Sequence, residues 1–435
     1  MPNRSRRRAQ AIGLAVAALL LVPRPANAAP NPGGPNPAAP NPATANPGGP
    51  SPAGPNPAGP QPVGPARAAE NPRLQTLLDE LVDRGGTGAL AVVTNGSQTW
   101  YQASGLARRS SPDALTTAAR FRAGSLTKSF VATVALQLVA EGRLRLSDTV
   151  GRWLPGLLPN GSAVTLRVLL NHSSGLYDYA EDQVLAQWIY TQPTIGIAPR
   201  RLIDIATSYP PLFDPGQGWY YSNTGYIVVG LILEAATRRS VHALVQERIL
   251  NRLGLSGTSF PAHDRDIAGY HAHGYRPPDG AGTGWQDVTL LAPSLLWTAG
   301  GIISTAEDLR RFYGALLGGE LLPAAQLAQL LTTIPVNPVF GYGLGIEALR
   351  GACGPVWGHS GGVPGYVTLA YSSRDGRRGV VLMMSTEPDE NLIALLRLTV
   401  ETAVCQMFDR VPPDLAARAA GSAGWAPGWG VRPVQ

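Results

Sequence analysis

Apolar residues first recur at helical spacing at Leu74, Leu77, Leu78, Leu81 and Val82, and Gly85 closes the segment. The folded part of the chain therefore opens near Asn71 with an amphipathic helix. From Ala89 to Thr94 the pattern changes to a continuous apolar run, followed by Asn95-Gly96 and a second strand around Trp100. Two strands around an Asn-Gly pair predict a β-hairpin. The same arrangement returns near the other end, where Val367–Ser372 and Gly379–Met384 flank Asp375-Gly376. Tyr342–Glu347 reads as a fifth strand, and a helix from about Asn391 to Met407 closes the core. The middle, about 125–320, is mostly helical and rich in loops and prolines. Hairpins at both ends with helices between them predict one antiparallel sheet assembled from distant segments. This is an α+β arrangement, a five-stranded antiparallel sheet flanked by helices (an α/β sandwich) with an inserted all-helical region, over residues 71–409.

The two ends of the chain follow other rules. Residues 1–28 carry a basic start, an apolar run from Ala11 to Val22 and a small-residue site at Ala26-Asn27-Ala28, the pattern of an export signal peptide. Twelve apolar residues are too few for a bilayer, which needs about 20, so no membrane span is expected. Within the spacer expected at 29–70, residues 31–65 form seven pentads of the type NPGGP, with proline second in each. A tract rich in proline, asparagine, glycine and alanine without charge cannot bury a core and is expected to be a semi-stiff spacer. Residues 410–435, with Trp425 and Trp429 among glycine and proline, read as a flexible tail.

Charge alters this picture once the leader is set aside. The formal charge of +6 includes Arg4, Arg6, Arg7, Arg8 and Arg24; without them 30 basic residues face 29 acidic ones. A nearly neutral mature chain has no electrostatic footprint for nucleic acid. Localisation is expected to be secreted, with the chain monomeric. Two cysteines, Cys353 and Cys405, in an exported protein suggest one disulfide; the alternative is two buried free thiols.

Of the 35 basic residues, Lys128 is the only lysine. Arginine stays protonated under ordinary conditions, whereas lysine becomes a base when its surroundings lower its pKa. Lys128 ends Ser125-Leu126-Thr127-Lys128, and Phe130, Val131, Val134, Leu138 and Val139 continue as an apolar helical stripe ending near Gly142. Three residues is nearly one turn, so Ser125 and Lys128 share a face at a helix N-terminus, where the macrodipole disfavours a charged lysine. A serine beside such a lysine is an activated nucleophile. Tyr221-Ser222-Asn223 and His359-Ser360-Gly361 follow in order.

With these three elements the sequence resembles the superfamily of serine β-lactamases and penicillin-binding proteins, whose signature is S-x-x-K, then S-D-N or Y-x-N, then a K-T-G-like strand. The Tyr-x-Asn form is similar to class C β-lactamases and to secreted D-alanyl-D-alanine carboxypeptidases of high-GC Gram-positive bacteria. The surrounding text agrees: Phe121-Arg122-Ala123-Gly124, then Leu169-Leu170-Asn171-His172-Ser173-Ser174-Gly175-Leu176, then Ala299-Gly300-Gly301-Ile302-Ile303-Ser304-Thr305; the cysteine spacing looks similar too. The resemblance covers about Asn71 to Phe408 and implies a β-lactamase/transpeptidase-like fold with Ser125 in the cleft between sheet and helical region. It implies that Ser125 attacks, Lys128 with Tyr221 takes its proton, Tyr221 protonates the leaving amine and Asn223 orients Lys128 and substrate. The N–H groups of Ser125 and Gly362 would form the oxyanion hole, with Ser360 and Gly361 beside it. His359 stands where many relatives have lysine.

The implied activity is D-alanyl-D-alanine carboxypeptidase on peptidoglycan stem peptides, with β-lactams acylating Ser125 and no cofactor or metal. The alternatives are a class C-like β-lactamase or esterase on the same scaffold, and a non-catalytic binder of wall fragments. One position departs from the pattern. Related carboxypeptidases tend to carry arginine on the strand before the third motif, and here Glu347 stands there, where its charge would repel a substrate carboxylate unless it faces solvent. Arg350, three residues on, points to the opposite face of that strand. Gly358-His359-Ser360-Gly361-Gly362 also fits the G-x-S-x-G elbow, but no histidine follows Ser360, as that fold requires. His271-Ala272-His273 lacks nearby thiols and reads as a loop rather than a metal site.

Overall fold

The computed structural model of the protein describes residues 72–278 and 284–412. The expected signal peptide (1–28), the expected spacer (29–70) and all but the first three residues of the expected tail (410–435) lie outside the described residues.

Helix α1, Pro72–Asp83, leads into a hairpin of β1, Gly88–Thr94, and β2, Thr99–Gly105. The chain returns to the same sheet only after residue 330. There it forms β3 (Ile334–Asn337), β4 (Phe340–Tyr342), β5 (Glu347–Gly351), β6 (Gly354–Val363), β7 (Tyr366–Ser372) and β8 (Gly379–Met384). The order across the sheet is β2-β1-β8-β7-β6-β5-β4-β3, antiparallel throughout. The two hairpins read from the sequence sit side by side and make up one half of the sheet, β1 against β8, with Ala89 opposite Met384 and β2 at the edge.

The sheet has eight strands rather than the expected five. Tyr342–Glu347 is not one strand. Tyr342 ends β4, Glu347 begins β5 and directly opposes it, and Gly343 N donates to Ile346 O (2.8 Å) to close the turn between them. Gly345 takes a positive φ of 77° in that turn, a conformation open to glycine without strain.

Both faces of the sheet are covered, which is why β1 and β8 read as unbroken apolar runs instead of alternating ones. Ala89, Ala91, Val93, Leu382 and Met384 pack against Leu74, Leu77, Leu78 and Leu81 of α1 and against α4, Glu390–Met407. Leu90, Val92, Val381 and Met383 face the helical region. At its centre lies α2, Thr127–Ala140, where every residue from Thr127 to Leu138 is buried. The apolar stripe expected there is burial on all sides, as befits a helix enclosed by others. Cys353, in the turn between β5 and β6, is bonded to Cys405 of α4, with 5.0 Å between the Cα atoms. Among the described residues no helix is long and apolar enough to cross a membrane.

Candidate active site

Ser125 sits in a single 3₁₀ turn, Gly124–Leu126, that runs directly into α2. The turn packs against the glycines of β6. A Cβ on Gly361 would lie 2.2 Å from Ala123 O and 3.1 Å from Ser125 N, and one on Gly124 would lie 2.9 Å from Gly362 N. Glycine at both positions lets the backbone of the serine turn touch the third-motif strand, which brings the N–H groups of Ser125 and Gly362 to neighbouring positions.

Lys128 is wholly buried one turn along. Its Nζ lies 3.0 Å from Ser125 Oγ, 2.8 Å from Asn223 Oδ1 and 2.7 Å from Ala299 O. Burial in this apolar helix pulls the ammonium down from 10.5 to about 7, with Asp178 and Glu347 opposing the fall. The partners explain what the neutral amine does. Asn223 Oδ1 and Ala299 O can only accept, so they take its two N–H groups and leave the lone pair directed at the Ser125 hydroxyl.

Asn223 opens helix α3, Asn223–Thr237, and the preceding Ser222 occupies the N-cap position without making a side-chain capping bond. Tyr221 comes just before, partly buried, with its hydroxyl enclosed beside that of Ser125 and its ring 4.8 Å from Lys128 Nζ. Burial holds the phenol well above its ordinary pKa, so Tyr221 is a proton donor near neutrality. Its ring packs at a tilt, 4.1 Å between centroids, on His172, a buried residue with a positive φ of 63° whose Nδ1 accepts from Ser222 N (3.1 Å). The His172 turn thus holds the Tyr221 segment by ring contact and by backbone.

His359 is also fully buried, and burial together with Lys128 depresses it to about 3. Its Nδ1 donates to Ser360 O and its Nε2 accepts from the Tyr342 hydroxyl at 2.8 Å. It is a neutral imidazole and does not replace the charge of a lysine. Ser360 turns inward: its Oγ donates to Glu347 Oε1 (2.8 Å) and its N–H to Glu347 Oε2 (3.1 Å). The Tyr371 hydroxyl completes the set at 2.6 Å. Glu347 is therefore interior rather than facing solvent, and burial raises it from 4.5 to about 7 against the pull of these donors and Lys128. Arg350 lies on the other side of β5, exposed.

The fold thus gathers Ser125, Lys128, Tyr221 and Asn223 and sets Gly361, Gly362, His359 and Ser360 alongside. The G-x-S-x-G pattern lies wholly within β6, without the helix an elbow needs. His271 and His273 stack at 4.6 Å, and His273 pairs with Asp287 at 2.7 Å. Sequence reasoning missed Asp178, which accepts from Asn223 Nδ2 (2.8 Å) and from Ala180 N (3.0 Å). It also missed the carbonyl of Ala299. Both lie in or just beyond stretches that resemble the family.

An α+β fold with S-x-x-K, Y-x-N and a third-motif strand converging on one serine defines the penicillin-recognising type of serine hydrolase. The Beta-lactamase family profile matches residues 74–403, and the chain belongs to that family. Among relatives, it is 29% identical over 354 residues to penicillin-binding protein 4* of Bacillus subtilis, covering 77% of this chain and 76% of that protein. Among solved structures, a D-stereospecific amidohydrolase from Streptomyces sp. superposes with a TM-score of 0.70 at 34% identity, over 78% of this chain and 99% of that one. The D-amino acid amidase from Ochrobactrum anthropi SV3 complexed with L-phenylalanine follows with 0.68 and 26%, over 78% and 99%.

Proposed function

We propose that this protein is a serine amidohydrolase that cleaves the amide bond following a D-amino acid residue through an acyl-enzyme on Ser125. The observation that carries the choice of substrate is the buried contact between Glu347 and Ser360. A serine hydroxyl has one proton, and Ser360 gives it to Glu347, so towards a substrate its oxygen only accepts. His359 is neutral, and among the described residues no arginine is hydrogen-bonded to Lys128, Asn223, His359, Ser360 or Glu347. A free C-terminal carboxylate would meet acceptors and a neighbouring carboxyl group. An amide N–H would meet the acceptor it needs.

In this reading the Ser125 proton passes to Lys128 Nζ as Oγ attacks the carbonyl carbon. The N–H groups of Ser125 and Gly362 hold the oxyanion. Tyr221 donates its proton to the leaving nitrogen, the C–N bond breaks, and the Lys128 ammonium reprotonates Tyr221. Water then releases the acid by the same route. The likeness to a D-stereospecific amidohydrolase and a D-amino acid amidase supports the D configuration. The signal-like N-terminus supports an exported enzyme.

The second reading is the D-alanyl-D-alanine carboxypeptidase, favoured by the likeness to a penicillin-binding protein. The test is kcat/KM for D-phenylalanine amide, its L isomer and an N-acylated peptide ending in free D-Ala-D-Ala, with Ser125→Ala as control. The amidohydrolase reading expects the D-amide to be preferred. Preference for the free carboxylate would overturn it in favour of the carboxypeptidase.

A further inference from the structure

The Lys128 lone pair reaches Ser125 only because the two other partners of Nζ are acceptors. Ala299 O is a carbonyl and has no choice. Asn223 is an amide with an acceptor at one end and a donor at the other, and rotated by half a turn it would aim Nδ2 at Lys128. That N–H would occupy the lone pair, and the base would be lost without any residue being absent. Something must hold the amide in one orientation, and Asp178 is positioned to do so. It is 5% exposed and accepts from Asn223 Nδ2 at 2.8 Å, while its other oxygen accepts from Ala180 N at 3.0 Å. It also accepts from the backbone N–H of Asn223, at the start of α3, where Ser222 supplies no cap. A carboxylate has only acceptors, so a flipped Asn223 would set Oδ1 against it at hydrogen-bond distance.

We propose that Asp178 is a positioning residue that locks the Asn223 amide with Oδ1 towards Lys128, and so directs the Lys128 lone pair at Ser125. Asp178 touches neither Lys128 nor Ser125 by hydrogen bond; it acts through Asn223. The charges and titratable groups facing Lys128 are Asp178, Glu347, His172, His359, Tyr221 and Tyr226. Asp178 and Glu347 raise its pKa. Burial raises Asp178 itself, against its N–H donors and Lys128.

The experiment is Asp178→Asn, read by acylation of Ser125 with 4-nitrophenyl acetate in a single turnover and followed by mass. This activated ester reports the nucleophile whatever the natural substrate is. Asparagine at 178 accepts either orientation of Asn223, so the plateau acylation rate is expected to fall about 10- to 10²-fold, the usual effect of losing a hydrogen bond to a charged group. Removing an anion beside a lysine lowers its pKa, so the acid limb of the rate profile moves to lower pH. The loss must also vanish in an Asn223→Ala background, because Asp178 then has no amide to orient. Equal losses with and without Asn223, or an acid limb that stays put, would overturn the proposal. If Asp178→Asn does not fold, Asp178→Ser, whose hydroxyl likewise both donates and accepts, is held to the same outcomes. Wild-type protein that is not acylated at Ser125 would overturn the serine-hydrolase reading and this inference with it. Acylation without amide turnover would overturn only the substrate assignment.

Discussion

Replacing Glu347 by glutamine changes selectivity through one proton. In the wild type the Ser360 hydroxyl is committed to Glu347 Oε1, and Oε2 accepts both Ser360 N–H and the Tyr371 hydroxyl. Glutamine satisfies the latter pair with its carbonyl and turns its NH₂ towards Ser360 Oγ, which frees the serine proton for the substrate. A hydrogen bond to a charged acceptor contributes about 1.5–3 kcal/mol. Taking the lower figure, kcat/KM for a peptide ending in free D-alanine should rise about 10-fold relative to its C-terminal amide. Loss of the Glu347 anion also lowers the Lys128 pKa, but that affects both substrates alike and cancels in the ratio. Arginine at this position, attractive from the sequence, would bury a guanidinium against Ser360 and Tyr371 and is the worse test.

Stability gives an independent reading of the same substitution. The Glu347 carboxyl ionises at about 7 when folded against an ordinary value of 4.5, so the folded state binds more protons between them. Its ionisation is therefore destabilising as pH rises through that window, by up to about 3 kcal/mol above pH 7. Glu347→Gln should raise Tm at pH 8 relative to wild type and gain little at pH 4. Equal effects on the two substrates, with no pH dependence in the Tm difference, would refute the reasoning.

Three further outcomes follow from the site. Lys128→Arg keeps a positive charge but removes the lone pair, and turnover should fall by more than about 10²-fold, the scale of a general base; a rate near wild type would show Lys128 to be only electrostatic. Gly361→Ala sets a methyl 2.2 Å from Ala123 O and so pushes the serine turn from β6; losing oxyanion alignment should cost about 10²–10³ in kcat, and an unchanged kcat would argue against that hole. Serine at both Cys353 and Cys405 removes the cross-link over 52 residues and should lower unfolding free energy by at most about 4 kcal/mol in denaturant titrations. Two titratable thiols in unreduced, denatured wild-type protein would remove the basis of that expectation.

Much of the fold was legible because the two hairpins that make half of the sheet combine long apolar runs with Asn-Gly and Asp-Gly turns. β6 carries the third motif but spends His359, Ser360, Gly361 and Gly362 on contacts rather than on β propensity. β3 and β4 are too short to leave a pattern, so eight strands were counted as five. The positions of Ser125, Lys128, Tyr221 and Asn223 followed from motif spacing, and the lone lysine drew attention to them. What spacing cannot convey is burial. Glu347 looked like a surface charge or a repulsive one, and only the pairing of β5 with β6 turns it inward onto Ser360. Asp178 is one acid among several in a loop, and its meaning depends on which end of the Asn223 amide it faces.

The account rests on Ser125 as the nucleophile that carries an acyl group. The most direct test is mass spectrometry of the protein quenched after exposure to benzylpenicillin, with D-phenylalanine amide turnover measured on the same preparations. The account predicts one adduct per chain, on the peptide containing Ser125, and neither adduct nor turnover in Ser125→Ala. An adduct on another residue, or amide hydrolysis that survives the loss of Ser125, would contradict it.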